Sequence, residues 1–279
     1  MKIKFLGTAA YEGIPALFCV CERCKEARKR GGKNLRTRSQ AIIDDKLLID
    51  FPADTLMHTH MHGVDLSEVK DCLLTHTHSD HLYKEDLGML LPGFSKTGTN
   101  IPFTFHGLRG AMLKINSYIN GASFDAKGVL ATEPMELFKP KQIGEYKVTA
   151  LKAIHDVTSF PAFFLIENKE GKSILYANDT HYFCDEVWEY FEKNPVKLSF
   201  VAMDCTNAML PLTYVGHMCL DDNVKVKERL IELGCADEKT IFCSNHFSHN
   251  GTNVLYEEFA EEAAKYGIIT SYDGMEVEF

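Results

Sequence analysis

Long apolar runs are missing from this 279-residue chain. None approaches the roughly 18 residues of a membrane span, and the opening MKIKFLGTAA has no extended apolar h-region. A membrane-spanning helix is thereby excluded and a cytoplasmic location is expected. An even, regularly spaced set of cysteines is also absent. The nine present are scattered apart from one cluster, which argues against a secreted disulfide framework and for clustered thiols as metal ligands. Positive charge is in deficit: 30 lysines and arginines against 39 aspartates and glutamates leave a formal charge of −9. That balance disfavours general attraction to nucleic acid or an anionic membrane, so an anionic substrate needs a locally positive site. Neither low-complexity linkers nor short-period repeats occur. What remains, 45% hydrophobic and 25% charged, is ordinary globular composition with enough apolar residues for one sizeable core. Histidine is the informative abundance, since several of the 12 fall in short groups with aspartate or cysteine.

Residues 2–6 alternate polar and apolar side chains and stop at Gly7-Thr8, the pattern of an opening strand. A long loop with Cys19, Cys21 and Cys24 follows, then a basic stretch, 25–30, expected to be a solvated helix face ended by Gly31-Gly32. Residues 40–44 and 46–50 read as a hairpin, and 69–74 as a buried strand. A helix is expected over 108–119, with further strands over 146–154, 162–167, 173–177, 198–203 and 240–244 and helices over 223–233 and 253–266. Two groups of strands flanked by helices predict a layered α/β sandwich, one domain covering 1–279.

The segment THTHSDH begins where the buried strand over 69–74 ends. Alternate residues of an extended chain point the same way, so His76 and His78 can face one ion, while Asp80 and His81, at the expected turn into a helix, can turn toward a neighbouring position. Imidazole with carboxylate suits zinc, manganese or iron better than calcium. MHTHMH is a rival cluster. Its surroundings read as a helix, where His58, His60 and His62 do not share one face; Asp54, His58 and His62 could, but with no further ligand in view the segment is read as a surface helix. His106 and His181 have no motif support.

The THTHSDH segment resembles the HxHxDH signature of the metallo-β-lactamase superfamily, and the resemblance extends over most of the chain. It implies a four-layer αββα sandwich with metals at one edge of the sheets. It also implies a ligand set completed in order by His155 in KAIHD, Asp179 in YANDTH and His246 in SNHFSH. On that pattern His76, His78 and His155 hold one divalent cation, Asp80, His81 and His246 the other, and Asp179 bridges them. Asp50, at the end of KLLID, matches a position that orients a ligand histidine.

Cys19, Cys21 and Cys24 supply three thiolates within six residues, and a tetrahedral structural zinc needs a fourth ligand, which His249 can provide. A trio so placed, with HFSH late in the chain, resembles the phosphodiesterase branch of the superfamily, typified by phosphoribosyl cyclic phosphate phosphodiesterases. That branch implies the same Cys19, Cys21, Cys24 and His249 zinc in a loop near 19–24. It also implies a general acid at His217 in YVGHM, so that catalysis depends on His217 together with Asp80. The expected reaction is hydrolysis of a small cyclic nucleotide or sugar phosphodiester by water activated between two divalent ions, zinc or manganese with iron a further option. Thioester hydrolysis, RNA processing and a non-catalytic carrier are the alternatives. The negative charge disfavours RNA, and the short stretch after His246 leaves no room for a separate helical domain. The partner expected is a small molecule, with no membrane, nucleic acid disfavoured and a homodimer left open. Specificity is assigned to loops over 84–97 and around Arg109.

Overall fold

Apolar residues in the strands point to two different layers in strict alternation. In the stretch 173–177, Ile174 and Tyr176 enter one core while Leu175 and Ala177 enter another, and 200–203 repeats the pattern with Phe200 and Ala202 against Val201 and Met203. Strands buried on both faces in this way belong between other layers. The computed structural model describes residues 1–97, 101–121, 128–211, 216–250 and 254–279.

The strands, in chain order, are β1 (Lys2–Gly7), β2 (Gln40–Ile43), β3 (Leu47–Ile49), β4 (Asp71–Leu73), β5 (Phe103–Leu108), β6 (Leu130–Met135) and β7 (Pro140–Ile143). They continue with β8 (Tyr146–Lys152), β9 (Ala162–Glu167), β10 (Ser173–Ala177), β11 (Phe200–Asp204), β12 (Ile241–Asn245), β13 (Ile268–Thr270) and β14 (Glu276–Glu278). The helices are α1 (Glu22–Arg30), α2 (Thr55–His62), α3 (Arg109–Gly121), α4 (Asp185–Lys193), α5 (Leu220–Glu232) and α6 (Tyr256–Ala264). Two seven-stranded mixed sheets result, ordered β14-β1-β2-β3-β4-β5-β6 and β13-β12-β11-β10-β9-β8-β7. Phe5, Ile43 and Ile49 of the first sheet share a core with Val148, Phe164 and Phe200 of the second. On the outer faces, Met112 and Ile115 of α3 cover the first sheet, while Trp188 of α4, Leu230 of α5 and Phe259 of α6 cover the second. This is the expected αββα sandwich.

Strand direction places the site. In the first sheet β3 and β4 are parallel, so both deliver their C-terminal ends to one edge. In the second, β8 and β10 are each antiparallel to β9 and therefore parallel to one another, and β10, β11 and β12 run parallel. The loops that carry His76 to His81, His155, Asp179 and His246 leave such ends.

The structure departs from the sequence reading in several places. No α-helix follows THTHSDH; residues Lys84–Leu90 form a 3-10 run, with Gly88 weakening any longer helix and Pro92 just beyond. MHTHMH is helical as expected, yet His58 is not on the surface. It is fully buried between Gln40 Oε1 at 2.6 Å and Thr37 Oγ1 at 2.7 Å, while His60 is exposed. A polar side chain on a buried helix face is stable when both ring nitrogens are satisfied, and here they are. The helix expected from 223 starts at Leu220, with Cys219 as its cap. The start expected at Asn253 lies outside the described residues. Among the described residues no helix is long and apolar enough to cross a membrane.

Candidate metal centre

Beyond β4 the chain runs extended through Thr75 to Thr77 and then turns. His78 Nδ1 lies 3.0 Å from His76 Nε2 and 3.3 Å from His155 Nε2, the latter arriving from the loop after β8. Nitrogens sharing a tetrahedral zinc at about 2.0–2.1 Å stand roughly 3.3 Å apart, so these three fit one cation. A second group converges beside them. Asp80 Oδ2 is 3.3 Å from His81 Nε2, and Asp179 Oδ2, from the loop after β10, is 3.0 Å from both His81 Nε2 and His246 Nε2. Asp179 Oδ1 is 3.9 Å from His155 Nε2, so its carboxylate spans the two groups.

His81 Nε2, His246 Nε2 and Asp179 Oδ2 are buried and lack hydrogen-bond partners in spite of these separations. They face a common volume without aligning on each other, the arrangement of ligands about a cation. The outer nitrogens are all anchored. His76 Nδ1 meets Thr75 Oγ1 at 3.1 Å, His78 Nε2 meets Asp156 at 3.1 Å and His81 Nδ1 meets Asp50 at 2.7 Å. His155 Nδ1 meets the Gly216 carbonyl at 3.3 Å, and His246 Nδ1 meets Thr206 Oγ1 at 2.8 Å. Fixing the far nitrogen sets ring orientation and tautomer for a metal on the near one. Asp50, Asp179 and His246 also hold left-handed backbone, with φ of 64°, 50° and 63°. Aspartate and histidine enter that region more readily than most side chains, as Asp44 and Asp45 also do in the turn between β2 and β3.

The electrostatics match. Burial pushes the His76 and His155 imidazoles below their ordinary range and keeps them neutral. Burial also opposes charge on His81 and His246, but Asp179 with Asp80 and Asp50 outweighs it and raises His81, and Asp179 with Asp204 raises His246 to about 10. Asp179 itself, despite burial, is held well below the usual carboxylate range by His246 and His81. Such a field attracts positive charge.

Asp204, the last residue of β11, escaped the sequence reading. Its buried carboxylate accepts from the backbone of Asp179, Thr206 and Met218 and from Thr206 Oγ1, and lies 3.0 Å from His217 Nδ1. With its oxygens so engaged it orients its neighbours and is not an open ligand. Its position at a strand end beside the ligand edge, like that of Asp50, was the signal available. Burial opposes charge on His217, but Asp204 outweighs it and raises the imidazole pKa.

Cys19, Cys21 and Cys24 Sγ stand 3.6, 3.8 and 3.6 Å from His249 Nδ1. A tetrahedral zinc with sulfur at about 2.3 Å and nitrogen at about 2.0–2.1 Å places S and N roughly 3.6 Å apart, so the four residues fit it. The Cys24 N–H and then His249 lower the Cys21 thiol to about 6, whereas burial raises Cys24 to about 11.

A cavity of about 530 Å³ opens over the ligands, with His78, Asp80, His155, Asp179, His217 and His246 in its floor. Its walls come from Tyr11, Glu12, Asn207, Ser248 and Asn250. Arg109 and residues 84–97, where specificity was expected, do not line it; part of the latter encloses a separate apolar pocket with Phe51 and Phe103. His106 pairs with Asp71 at 2.7 Å, and His181 donates its N–H to the Ile154 carbonyl.

A family model described as "Beta-lactamase superfamily domain" matches residues 46–232. Coenzyme PQQ synthesis protein B of Methylobacterium radiotolerans is 29% identical over 150 residues, which are 48% of this chain and 46% of that protein, so the match spans less than half of this relative. Among solved structures, a diphosphatase from the PhnP family superposes with a TM-score of 0.73 at 18% identity, covering 100% of this chain and 98% of the other. Zinc-bound PqqB from Methylobacterium extorquens gives 0.71 at 18% identity with 100% of both chains, and the short form of human tRNase Z gives 0.66 at 15%, covering 100% and 99%. At these identities the likeness shows the fold.

Proposed function

This chain belongs to the beta-lactamase superfamily, and from that membership we propose that it is a phosphodiesterase with two divalent cations in its site and one structural zinc beside it. The observation that carries the reading is two three-residue ligand groups joined by Asp179, opening on the same cavity as the His217–Asp204 pair. The thiolate trio with His249 and the likeness to a PhnP-family diphosphatase support the phosphodiesterase branch. His76, His78 and His155 would hold one cation, Asp80, His81 and His246 the other. When bound, such a pair lowers the pKa of water and offsets negative charge developing on a phosphoryl group.

The remaining steps belong to the chain. Asp204 orients His217 through Nδ1, and the imidazole would deliver a proton to the departing alkoxide. Thr206 ties this arm to the metal-facing one, since its hydroxyl lies within 3.1 Å of His217 Nδ1 and 2.8 Å of His246 Nδ1. Asp50 and Asp156 hold His81 and His78 in their ligand orientations. The phosphodiester would enter through the cavity, where the ligands and His217 are lining residues together.

The test is turnover of the zinc- or manganese-loaded protein on bis-p-nitrophenyl phosphate and on a nucleoside 2′,3′-cyclic phosphate. His217→Ala should keep its metal and lose about 10²–10⁴ in rate on the cyclic diester, whose alkoxide needs a proton, and lose less on the nitrophenyl ester. Asp179→Ala should lose metal and both activities. Absence of diester hydrolysis by the metal-loaded wild type refutes the reading, and wild-type turnover of the cyclic ester by His217→Ala refutes the acid.

A further inference from the structure

The cavity walls carry chemistry that the metal ligands do not use. Glu12 lies on the loop after β1 and is pinned through one oxygen only. Ser248 Oγ donates to its Oε1, Asn250 Nδ2 reaches the same atom at 3.5 Å, and His249 Nε2 stands 3.8 Å from it. Oε2 accepts from no described residue. Ser248 is itself buried and takes the Asn250 N–H at 3.0 Å, so the carboxylate rests on a fixed support. Beside it, Tyr11 exposes its ring to solvent, with the Arg38 guanidinium 5.6 Å from the ring centroid and Arg38 Nε donating to the Tyr11 carbonyl at 2.9 Å.

Cations are missing from this wall. Among the described residues no lysine or arginine lines the cavity. Arg38 is paired with Asp54 at 3.1 Å. Lys114 donates to Thr77 Oγ1 at 2.7 Å and is not among the lining residues. Beyond the ligand residues the lining offers an oriented carboxylate, two carboxamides, hydroxyls and an aromatic ring.

We propose that Glu12, with Tyr11 and Asn250, selects diesters whose non-reacting part is an uncharged, hydroxyl-bearing group such as a nucleoside, and rejects those bearing a second phosphate. This deepens the phosphodiesterase reading and rests on it. A substrate hydroxyl donates to Glu12 Oε2 without rearrangement because the other oxygen already holds the side chain, and a ring packs on Tyr11. A second phosphate would meet a fixed negative charge with no arginine or lysine among the described lining residues, and like-charge juxtaposition is strongly unfavourable. Glu12 is thus a specificity-determining residue, remote from the reacting phosphorus.

The experiment compares adenosine 2′,3′-cyclic phosphate with its 5′-phosphorylated counterpart on the metal-loaded protein, with bis-p-nitrophenyl phosphate as the control. The control has neither hydroxyl nor second phosphate: its failure refutes the phosphodiesterase reading, and this inference with it. With the control hydrolysed, kcat/KM for the uncharged nucleoside should exceed that for the 5′-phosphorylated compound by roughly tenfold or more, mostly through KM. Glu12→Gln keeps an acceptor for Ser248 and should bring the two values together. Calorimetric titration of the wild type should show adenosine 2′-monophosphate binding more tightly than adenosine 2′,5′-bisphosphate, a readout independent of turnover and of any variant. Equal or reversed preference in the wild type overturns the proposal, as does an unchanged ratio in folded, metal-replete Glu12→Gln.

Discussion

Replacing Asp50 by asparagine isolates one link between fold and metal. The native carboxylate has φ of 64°, a region in which asparagine is comfortable, so the variant keeps its backbone where alanine would add strain. Oδ1 accepts from the Thr75 N–H at 2.8 Å and Oδ2 from His81 Nδ1 at 2.7 Å. Asparagine has one oxygen to offer these two donors. With that oxygen toward Thr75, its NH2 faces His81 Nδ1, and the imidazole must accept there and move its proton to Nε2, the nitrogen that faces the site. The opposite flip leaves the buried Thr75 N–H facing an NH2. Losing a charge-assisted hydrogen bond costs about 1.5–3 kcal/mol, or about 10- to 150-fold in an equilibrium, in line with the 10–100-fold typical when the support of a metal-bound histidine is removed. Titration of apoprotein with zinc against a fluorescent chelator, with circular dichroism to verify folding, should show one catalytic-site affinity weakened by that factor and the Cys19, Cys21, Cys24, His249 site unchanged. A folded variant with wild-type affinity at every site refutes the argument that Asp50 sets the ligand state of His81.

Further outcomes follow from two groups away from the catalytic pair. Cys21→Ser should release one zinc equivalent and lower the thermal midpoint, and zinc affinity of the wild-type apoprotein should fall as pH drops, more steeply below about 6, where Cys21 as well as Cys24 is protonated; full metal content in the variant removes the structural zinc. His58 is buried and neutral, its pKa pushed down by burial to about 4 from an unfolded value near 6.5. Between those values the unfolded chain binds the proton and the folded one does not. Stability is therefore full above about pH 6.5 and declines as pH falls toward 4, by on the order of 3 kcal/mol for this group. Urea midpoints at pH 7 and 5 should reveal the slope, which should flatten in His58→Gln; an unchanged slope refutes the assignment.

The sandwich and its ligand edge were legible because they depend on local pattern. Alternation in 173–177 and apolar runs ending in polar clusters mark strands whose C-terminal ends supply ligands, and THTHSDH compresses four candidates into one such end. Residues whose meaning arises only in three dimensions were not legible. Asp204 looks like any strand-final acid until Asp179, Thr206, Met218 and His217 converge on it. His58 read as a surface residue because helical phase alone does not disclose that Gln40 and Thr37 wait on either side of the ring. The sequence points to loops near 84–97 and around Arg109 for specificity, whereas Tyr11 and Glu12 line the cavity from the segment after β1, which runs on to Cys19 and Cys21 before α1.

The left-handed turns at Asp50, Asp179 and His246 bear on any attempt to make this protein hardier. A protein engineer guided by backbone preference would place glycine at all three to ease the left-handed backbone and expect a more heat-tolerant molecule. Each exchange would delete an acid or an imidazole that faces or supports the candidate metal centre, so gains in robustness should be sought on α3 to α6, which supply none of its side chains.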